Sequence, residues 1–305
     1  MNQTVVALGM FDGVHLGHRV LLERAAELAH RNGDAAVVFT YANHPRELFG
    51  GDVPYLGTNE QREALILACG CDRVDSIPFD AAFASMAPDA FVDWLNARYE
   101  GTVAAIVVGY DYRFGAKAAG DVTLLKTLCE ARGIELTVIP EVCVDGVPCA
   151  STYIRDAIRS GDVERAARML GRPYELSGTV VHAKALGRLY HFPTANMGSG
   201  TQALPKDGVY ATVLVFAGNA YPAVTNVGTN PTVGGRARSV ETHAIGEQLD
   251  LYGKTIAVRF LKRLRDEKTF ENKDLLFAQI ARDAETAKKV FQEHEKSVYN
   301  SERLC

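Results

Sequence analysis

At 305 residues the chain is long for one hydrophobic core and comfortable for two. Its composition, 47% hydrophobic and 23% charged, is ordinary for a globular protein, and a net charge of −4 lacks the basic excess of a general nucleic-acid binder. No apolar run is long enough to span a membrane and the first residues lack a basic segment followed by an apolar one, so the expectation is a cytoplasmic monomer or weak homo-oligomer with no nucleic-acid or membrane partner. The six cysteines form no CxxC pair and have no histidine at zinc-finger spacing, which predicts free, mostly buried thiols.

The first predicted strand, Val5 to Gly9, is a short apolar run of the buried parallel type, ending on a glycine where a side chain would block whatever approaches. Asp12-Gly13 turns the chain, and Leu21, Ala25, Leu28 and Ala29 then recur at helical spacing until Asn32-Gly33 closes the segment. His15 and His18 therefore sit at the mouth of a helix, on one face of its opening turn. Unpaired N–H groups and the positive end of the helix dipole favour an anion there, and phosphate is the expected guest. Neither GxxxxGK[ST] nor GxGxxG spacing is present.

Ala35 to Tyr41 is a second buried-type strand. His44 and Arg46 follow it, at the strand end where open α/β sheets place their ligands. Thr58 and Gln61 form a capping box for a helix running to Gly70, Val74 to Phe79 is a short strand, and Pro88 to Tyr99 is a proline-opened helix whose Trp94 belongs to the core. Val103 to Gly109 and Ile134 to Pro140 are further strands, with a helix from Asp121 to Arg132 between them. Five strands alternating with helices predict a parallel sheet with right-handed crossovers. Asp111 and Phe114 lie in the loop after the fourth strand. Cys143 to Cys149 reads as a hairpin around Asp145-Gly146, and Ser151-Thr152 opens a helix with Arg155 one turn in, a second place for phosphate.

After a short helix from Val163 to Leu170 the pattern changes. Glu175 to His182, Gly208 to Phe216, Tyr221 to Asn226, Val240 to Gly246 and Thr255 to Leu261 read as strands punctuated by glycine, proline and asparagine. That spacing predicts a small antiparallel barrel or sandwich and puts the domain boundary near residue 170, giving domains 1–170 and 171–305. From Asp274 to Val298 a terminal helix presents one apolar face to the barrel.

These motifs resemble a known family. G-x-F-D-G-V-H-x-G-H at residues 9–18 resembles the HxGH nucleotidyltransferases, in particular their flavin adenylyltransferase branch. Residues 109–115 look like that branch's G-x-D/N-F-x-F-G segment, and residues 150–155 like its S-S/T-x-x-I-R segment. Residues 187–196 resemble the G-R-x-x-G-F-P-T-A-N motif of riboflavin kinases, followed by N-x-G-x-x-P-T from Asn226 and V-E-T-H from Val240. Over nearly its whole length the chain is similar to bacterial bifunctional riboflavin kinases/FAD synthetases.

The resemblance implies an α/β protein with an N-terminal Rossmann-like domain and a C-terminal antiparallel β-barrel carrying a terminal helix. It implies ATP-dependent phosphorylation of riboflavin to FMN and adenylylation of FMN to FAD, with Mg²⁺ at each site. His15 and His18 are then the groups that stabilise the ATP phosphates. Gly9, Phe11, Asp12, Gly13 and Gly17 shape that nucleotide site, with Ser151, Thr152 and Arg155 on its other side. In the second half, Gly187 and Arg188 are implied nucleotide contacts, Thr194 and Asn196 hard oxygen ligands for the metal, and Glu241 the base for the ribityl hydroxyl. His44, Arg46, Asp111, Phe114, Asn226 and Arg265 are the implied flavin contacts. Ala183 and His191 stand where the kinase motif has glycines, which keeps open an alternative: an FMN adenylyltransferase whose barrel binds flavin without phosphorylating it.

Overall fold

A computed structural model describes residues 3–181, 194–198, 200–232 and 235–302. The chain divides into two compact units, one of residues up to Val53 with Thr58–Ser151, the other of Pro54–Gly57 with Thr152 onward.

In chain order the first unit contains β1 (Thr4–Leu8), α1 (Leu16–Asn32), β2 (Ala35–Tyr41), a 3₁₀ turn (Pro45–Phe49), α2 (Asn59–Ala68), β3 (Arg73–Ile77), α3 (Ala81–Ala84) and α4 (Pro88–Arg98). It continues with β4 (Val103–Gly109), a second 3₁₀ turn (Ala116–Ala118), α5 (Val122–Glu130), β5 (Glu135–Ile139), and the two short strands β6 (Cys143–Val144) and β7 (Val147–Pro148). β1 to β5 make one parallel sheet in the order β3-β2-β1-β4-β5. Every residue of the central β1 is buried, because alternate side chains serve cores on opposite faces of the sheet. Val5 and Ala7 pack with Leu22, Ala25 and Ile66, whereas Val6 and Leu8 pack with Phe39, Phe91 and Leu125. Trp94 joins this second cluster, its ring edge-on to Phe83 and Phe39.

Local signals set the ends of these elements. Gly33 closes α1 at φ 75°, and the Thr58–Gln61 capping box forms with both reciprocal hydrogen bonds, at 3.2 and 2.8 Å. The β6–β7 hairpin turns on Asp145 and Gly146 at φ 53° and 72°, the pair of positive angles a two-residue primed turn requires. The chain winds outward from β1 through β2 to β3, then restarts beside β1 with β4. The crevice at the C-terminal ends of β1 and β4 is therefore the topological switch point, where such sheets bind ligands.

The second unit takes in α6 (Ser151–Ser160) after its first residue, then α7 (Val163–Leu170), β8 (Tyr174–Val181), β9 (Ala195–Gly198), β10 (Gly208–Phe216), β11 (Asn219–Thr232), β12 (Gly235–Ala244), β13 (Thr255–Arg265) and α8 (Lys273–Glu302). Its strands close a barrel in the order β10-β11-β12-β9-β8-β13, with antiparallel neighbours throughout. β9 is absent from the predicted strands because four residues are too few to show alternation. A chain of buried hydroxyls, Thr212 to Thr225 at 2.8 Å and Thr225 to Thr242 at 2.9 Å, links β10, β11 and β12. On α8, Ala284, Ala287 and Val290 pack against Ala211, Val224 and Ile245. Pro54–Gly57 also belongs here: Tyr55 pairs with Gln202, its N–H donating to the Thr201 carbonyl at 2.9 Å and its carbonyl accepting from Ala203 N–H at 2.8 Å.

Candidate functional site

The first site is built on the loop between β1 and α1. Phe11, Gly13 and Val14 have φ of 51°, 79° and 39°, so three residues in a run of four occupy left-handed backbone, and the strain is concentrated beside the histidines. Gly9 is needed for a reason internal to this loop: a Cβ there would lie 2.9 Å from the Phe11 ring. Phe11 in turn sets its edge against His18, with ring centres 5.3 Å apart.

His15 is the N-cap of α1, and its Nδ1 accepts the His18 backbone N–H at 3.3 Å. That bond engages the Nδ1 lone pair and leaves Nε2 to carry the proton of the neutral ring. The two imidazoles are stacked, 3.5 Å between centres and 20° between planes. Burial, with a smaller contribution from neighbouring His15, holds the His18 pKa well below the usual imidazole value, and its Nδ1 is buried without a hydrogen-bond partner. The ring is thus neutral at pH 7, and a phosphate beside it would favour the charged form.

Three further groups complete the loop's surroundings. Ser151 Oγ donates to the Asp12 carbonyl at 3.0 Å, bringing the start of α6 to the motif within the first unit. Burial pushes the Cys149 thiol up while the backbone N–H groups of Gly17 and Leu16 oppose the shift, so this sulfur caps the opening of α1. A Cβ on Gly17 would meet both the Cys149 carbonyl and the His15 ring at 3.3 Å. Arg62, 5% exposed on α2, donates from Nη1 to the Met10 carbonyl at 3.2 Å and from Nη2 to the Tyr41 carbonyl at 2.8 Å. Thr40 Oγ1 donates to the same Met10 carbonyl at 3.2 Å. Sequence reasoning missed Arg62 and Cys149, since a charge in a surface-type helix and a cysteine after a hairpin carry no local signal.

The other first-unit candidates lie on either side of that loop. His44 caps the 3₁₀ turn after β2, its Nδ1 accepting from Arg46 N–H at 3.1 Å, and Arg46 is exposed. Asp111 is exposed just beyond β4. Phe114 is 5% exposed, against Phe91 and Tyr112 and covering Gly120, where a Cβ would lie 2.5 Å from its ring. Thr152 and Arg155 fall in the second unit, where Thr152 is exposed and Arg155 Nε donates to the Pro54 carbonyl at 2.9 Å.

The second site is made by strand register. Asn226 on β11 stands opposite Glu241 on β12, which stands opposite Asn196 on β9, forming one row across three strands. Glu241, Asn226, Thr194 and His243 line a cavity of about 290 Å³ closed by Val224, Phe270 and the α8 residues Leu276 and Ile280. Most of the polar lining comes from the strands and the β13–α8 connection, and the apolar lining from Val209, Val224, Phe270 and the α8 residues Leu276, Ile280 and Ala284. Arg265 also lines it, its Nη2 paired at 2.8 Å with Asp283 of α8. Asn226 Nδ2 donates to Glu267 at 3.1 Å, and that carboxylate lies directly over Gly228, where any Cβ would collide with it. Asn196 is 9% exposed; its Nδ2 is 3.4 Å from Thr194 Oγ1, and its Oδ1 is buried with no hydrogen-bond partner. An orphaned amide oxygen beside a hydroxyl is a pair of hard donors that suits a small divalent cation. No cluster of three or more histidine, cysteine or acidic groups that would hold a metal occurs among the described residues. Gly187, Arg188, Ala183 and His191 lie outside the described residues.

The cysteines that the structure describes, Cys69, Cys71, Cys129, Cys143 and Cys149, are all free thiols, with burial pushing Cys71 up to about 12 and Cys129 to about 11.

A doubly wound α/β unit with paired histidines at its switch point, carried on one chain with a closed β-barrel and its terminal helix, defines a two-part transferase. The family model for FAD synthetase matches residues 1–153 and that for riboflavin kinase residues 170–291. Bifunctional riboflavin kinase/FMN adenylyltransferases are similar along almost the whole chain. That of Escherichia coli K12 is 38% identical over 94% of this chain and 92% of its own length, and that of Bacillus subtilis 31% identical over 95% and 93%. The chain belongs to the bifunctional riboflavin kinase/FMN adenylyltransferase family. A solved structure named as a macrolide-efflux protein from Streptococcus pneumoniae has the same fold, with TM-score 0.86, 30% identity and 94% of each chain covered. That name describes the other protein; among the described residues here, no helix is long and apolar enough to cross a membrane.

Proposed function

We propose that the chain makes FMN from riboflavin in residues 171–305 and FAD from FMN in residues 1–170, consuming one ATP in each step. In the first reaction the ribityl hydroxyl oxygen attacks the γ-phosphorus of ATP, its proton passes to Glu241, and ADP leaves. The observation that carries this assignment is the row of Asn226, Glu241 and Asn196, of which Asn226 and Glu241 line a cavity whose apolar residues suit the flavin ring. Thr194 Oγ1 and Asn196 Oδ1 would hold Mg²⁺, which when bound neutralises the phosphate oxygens. Asn226 and Arg265 border the flavin, while Gly187 and Arg188 are assigned to ADP on sequence alone.

In the second reaction an FMN phosphate oxygen attacks the α-phosphorus of ATP and pyrophosphate leaves. His15 offers Nε2–H to the phosphates, and His18 gains a proton as negative charge builds beside it. Gly9, Phe11, Asp12, Gly13 and Gly17 hold the loop, and Ser151 ties it to α6. Thr152 and Arg155 are assigned to the phosphates, and His44, Arg46, Asp111 and Phe114 to the FMN side, with Phe114 acting from within the core. Mg²⁺ is assigned to this site on the chemistry of the displacement alone. The soluble small molecules ATP, riboflavin and FMN are its partners; the protein is assigned to the cytoplasm as a monomer or weak homo-oligomer.

Product chromatography tests the proposal. With MgATP, riboflavin should yield FMN and then FAD, and supplied FMN should yield FAD and pyrophosphate. FAD from FMN but no FMN from riboflavin would overturn the kinase half and favour the adenylyltransferase-only alternative raised by Ala183 and His191.

A further inference from the structure

One buried charged group at the barrel cavity has no part in the chemistry above: the carboxylate of Asp283 on α8, 5% exposed. Its Oδ2 accepts from both Nε and Nη2 of Arg265, at 3.0 and 2.8 Å, and its Oδ1 accepts from Gln279 Nε2 at 2.8 Å. Arg265 Nη1 donates onward to the Asp266 carbonyl at 3.0 Å. All three guanidinium nitrogens are therefore engaged, and the group is fixed in direction. Its central carbon lies 5.9 Å from the centre of the Phe270 ring. Phe270 belongs to neither β13 nor α8, so no regular backbone hydrogen bonding places its ring. Arg265, Phe270 and Asp283 all line the same cavity.

We propose that Asp283 is a positioning residue for flavin recognition: through Arg265 it braces Phe270 as the aromatic wall of the cavity. The pairing also cancels a charge that the cavity would otherwise have to hydrate. An unpaired guanidinium keeps a shell of water that a flat, neutral, aromatic ligand must displace, whereas a paired one presents its flat face to the ring beside it. The brace selects for a planar ring system and takes no proton in the reaction. It rests on the reading of the barrel as a riboflavin kinase.

The test uses the full chain with D283N, R265Q, F270L and the double variants D283N/R265Q and D283N/F270L. Three quantities are measured: riboflavin binding by flavin fluorescence without ATP, KM and kcat for FMN formation at saturating MgATP, and FAD formation from FMN on the same samples. Each single substitution should raise the riboflavin dissociation constant and KM about tenfold, with kcat within about threefold of wild type. Each double should be no worse than the poorer single, because the changes remove one shared brace. FAD formation from FMN should not change. Unchanged riboflavin affinity in D283N, fully multiplicative doubles, or a fall in kcat alone would each overturn the proposal. If the wild-type protein neither binds riboflavin nor forms FMN, the kinase reading itself fails and the brace with it.

Discussion

The two units build their candidate sites by opposite means. In the first, the decisive residues are close in sequence: Gly9 to His18 make a strand end, a strained turn and a helix cap that orient one another through Phe11 and the His15–His18 stack. In the second, Asn196, Asn226 and Glu241 come from three strands and meet only through antiparallel register, and part of the apolar wall comes from a helix that starts at Lys273. A local site is limited by what a single loop can be made to adopt. A register site is limited by barrel closure, because a one-residue slip would turn Glu241 to the opposite face.

The sharpest way to break this comparison is a pair of substitutions. His18→Ala should lower FAD formation from FMN by roughly 10²–10³-fold while FMN formation stays within about twofold. Glu241→Ala should lower FMN formation by roughly 10²–10⁴-fold and spare FAD formation. Equal loss of both products in either variant would mean the two sites are not separate. A smaller effect is expected from Arg62, which acts by pinning the Met10 carbonyl. Arg62→Met should slow FAD formation about ten- to a hundredfold, with Arg62→Lys recovering part of it. A variant with normal adenylyl transfer would remove Arg62 from the loop's support.

Protonation offers a further test of the first site. ATP binding to the first site near pH 6.5 should take up protons, because phosphate raises a His18 pKa that burial and His15 hold down. Calorimetry in buffers of different ionisation enthalpy reads this directly, and buffer-independent heats would refute it. The sign for stability follows from the same shift. Below 6.5 the unfolded chain binds a proton at His18 that the folded chain does not, so stability falls as pH drops through 6.5, by no more than about 1.4 kcal/mol per pH unit. His18→Gln should flatten that slope in urea titrations. The smallest effect is local: Thr58→Ala removes the capping box of α2 and should lower the stability of the first unit by ~1 kcal/mol with neither activity impaired. A loss of FAD formation would instead tie α2, and Arg62 on it, to the loop more tightly than two hydrogen bonds account for.

Periodicity and turn chemistry alone determined the alternation of strands and helices through residue 139, the hairpin at Asp145-Gly146, the cap at Thr58, and the histidines' place at a helix mouth. These are readable because capping bonds and primed turns act between residues a few positions apart. Tertiary structure decided the rest. It gave Gly9 its purpose under Phe11, set Arg62 and Cys149 beside the loop, buried Phe114 in the core, and drew Pro54–Gly57 into the second unit. It also joined Arg265 to Asp283 across 18 residues of chain. None of these was legible, because a buried hydrogen bond or ring contact depends on which surfaces meet, and residue spacing in a single chain does not encode that.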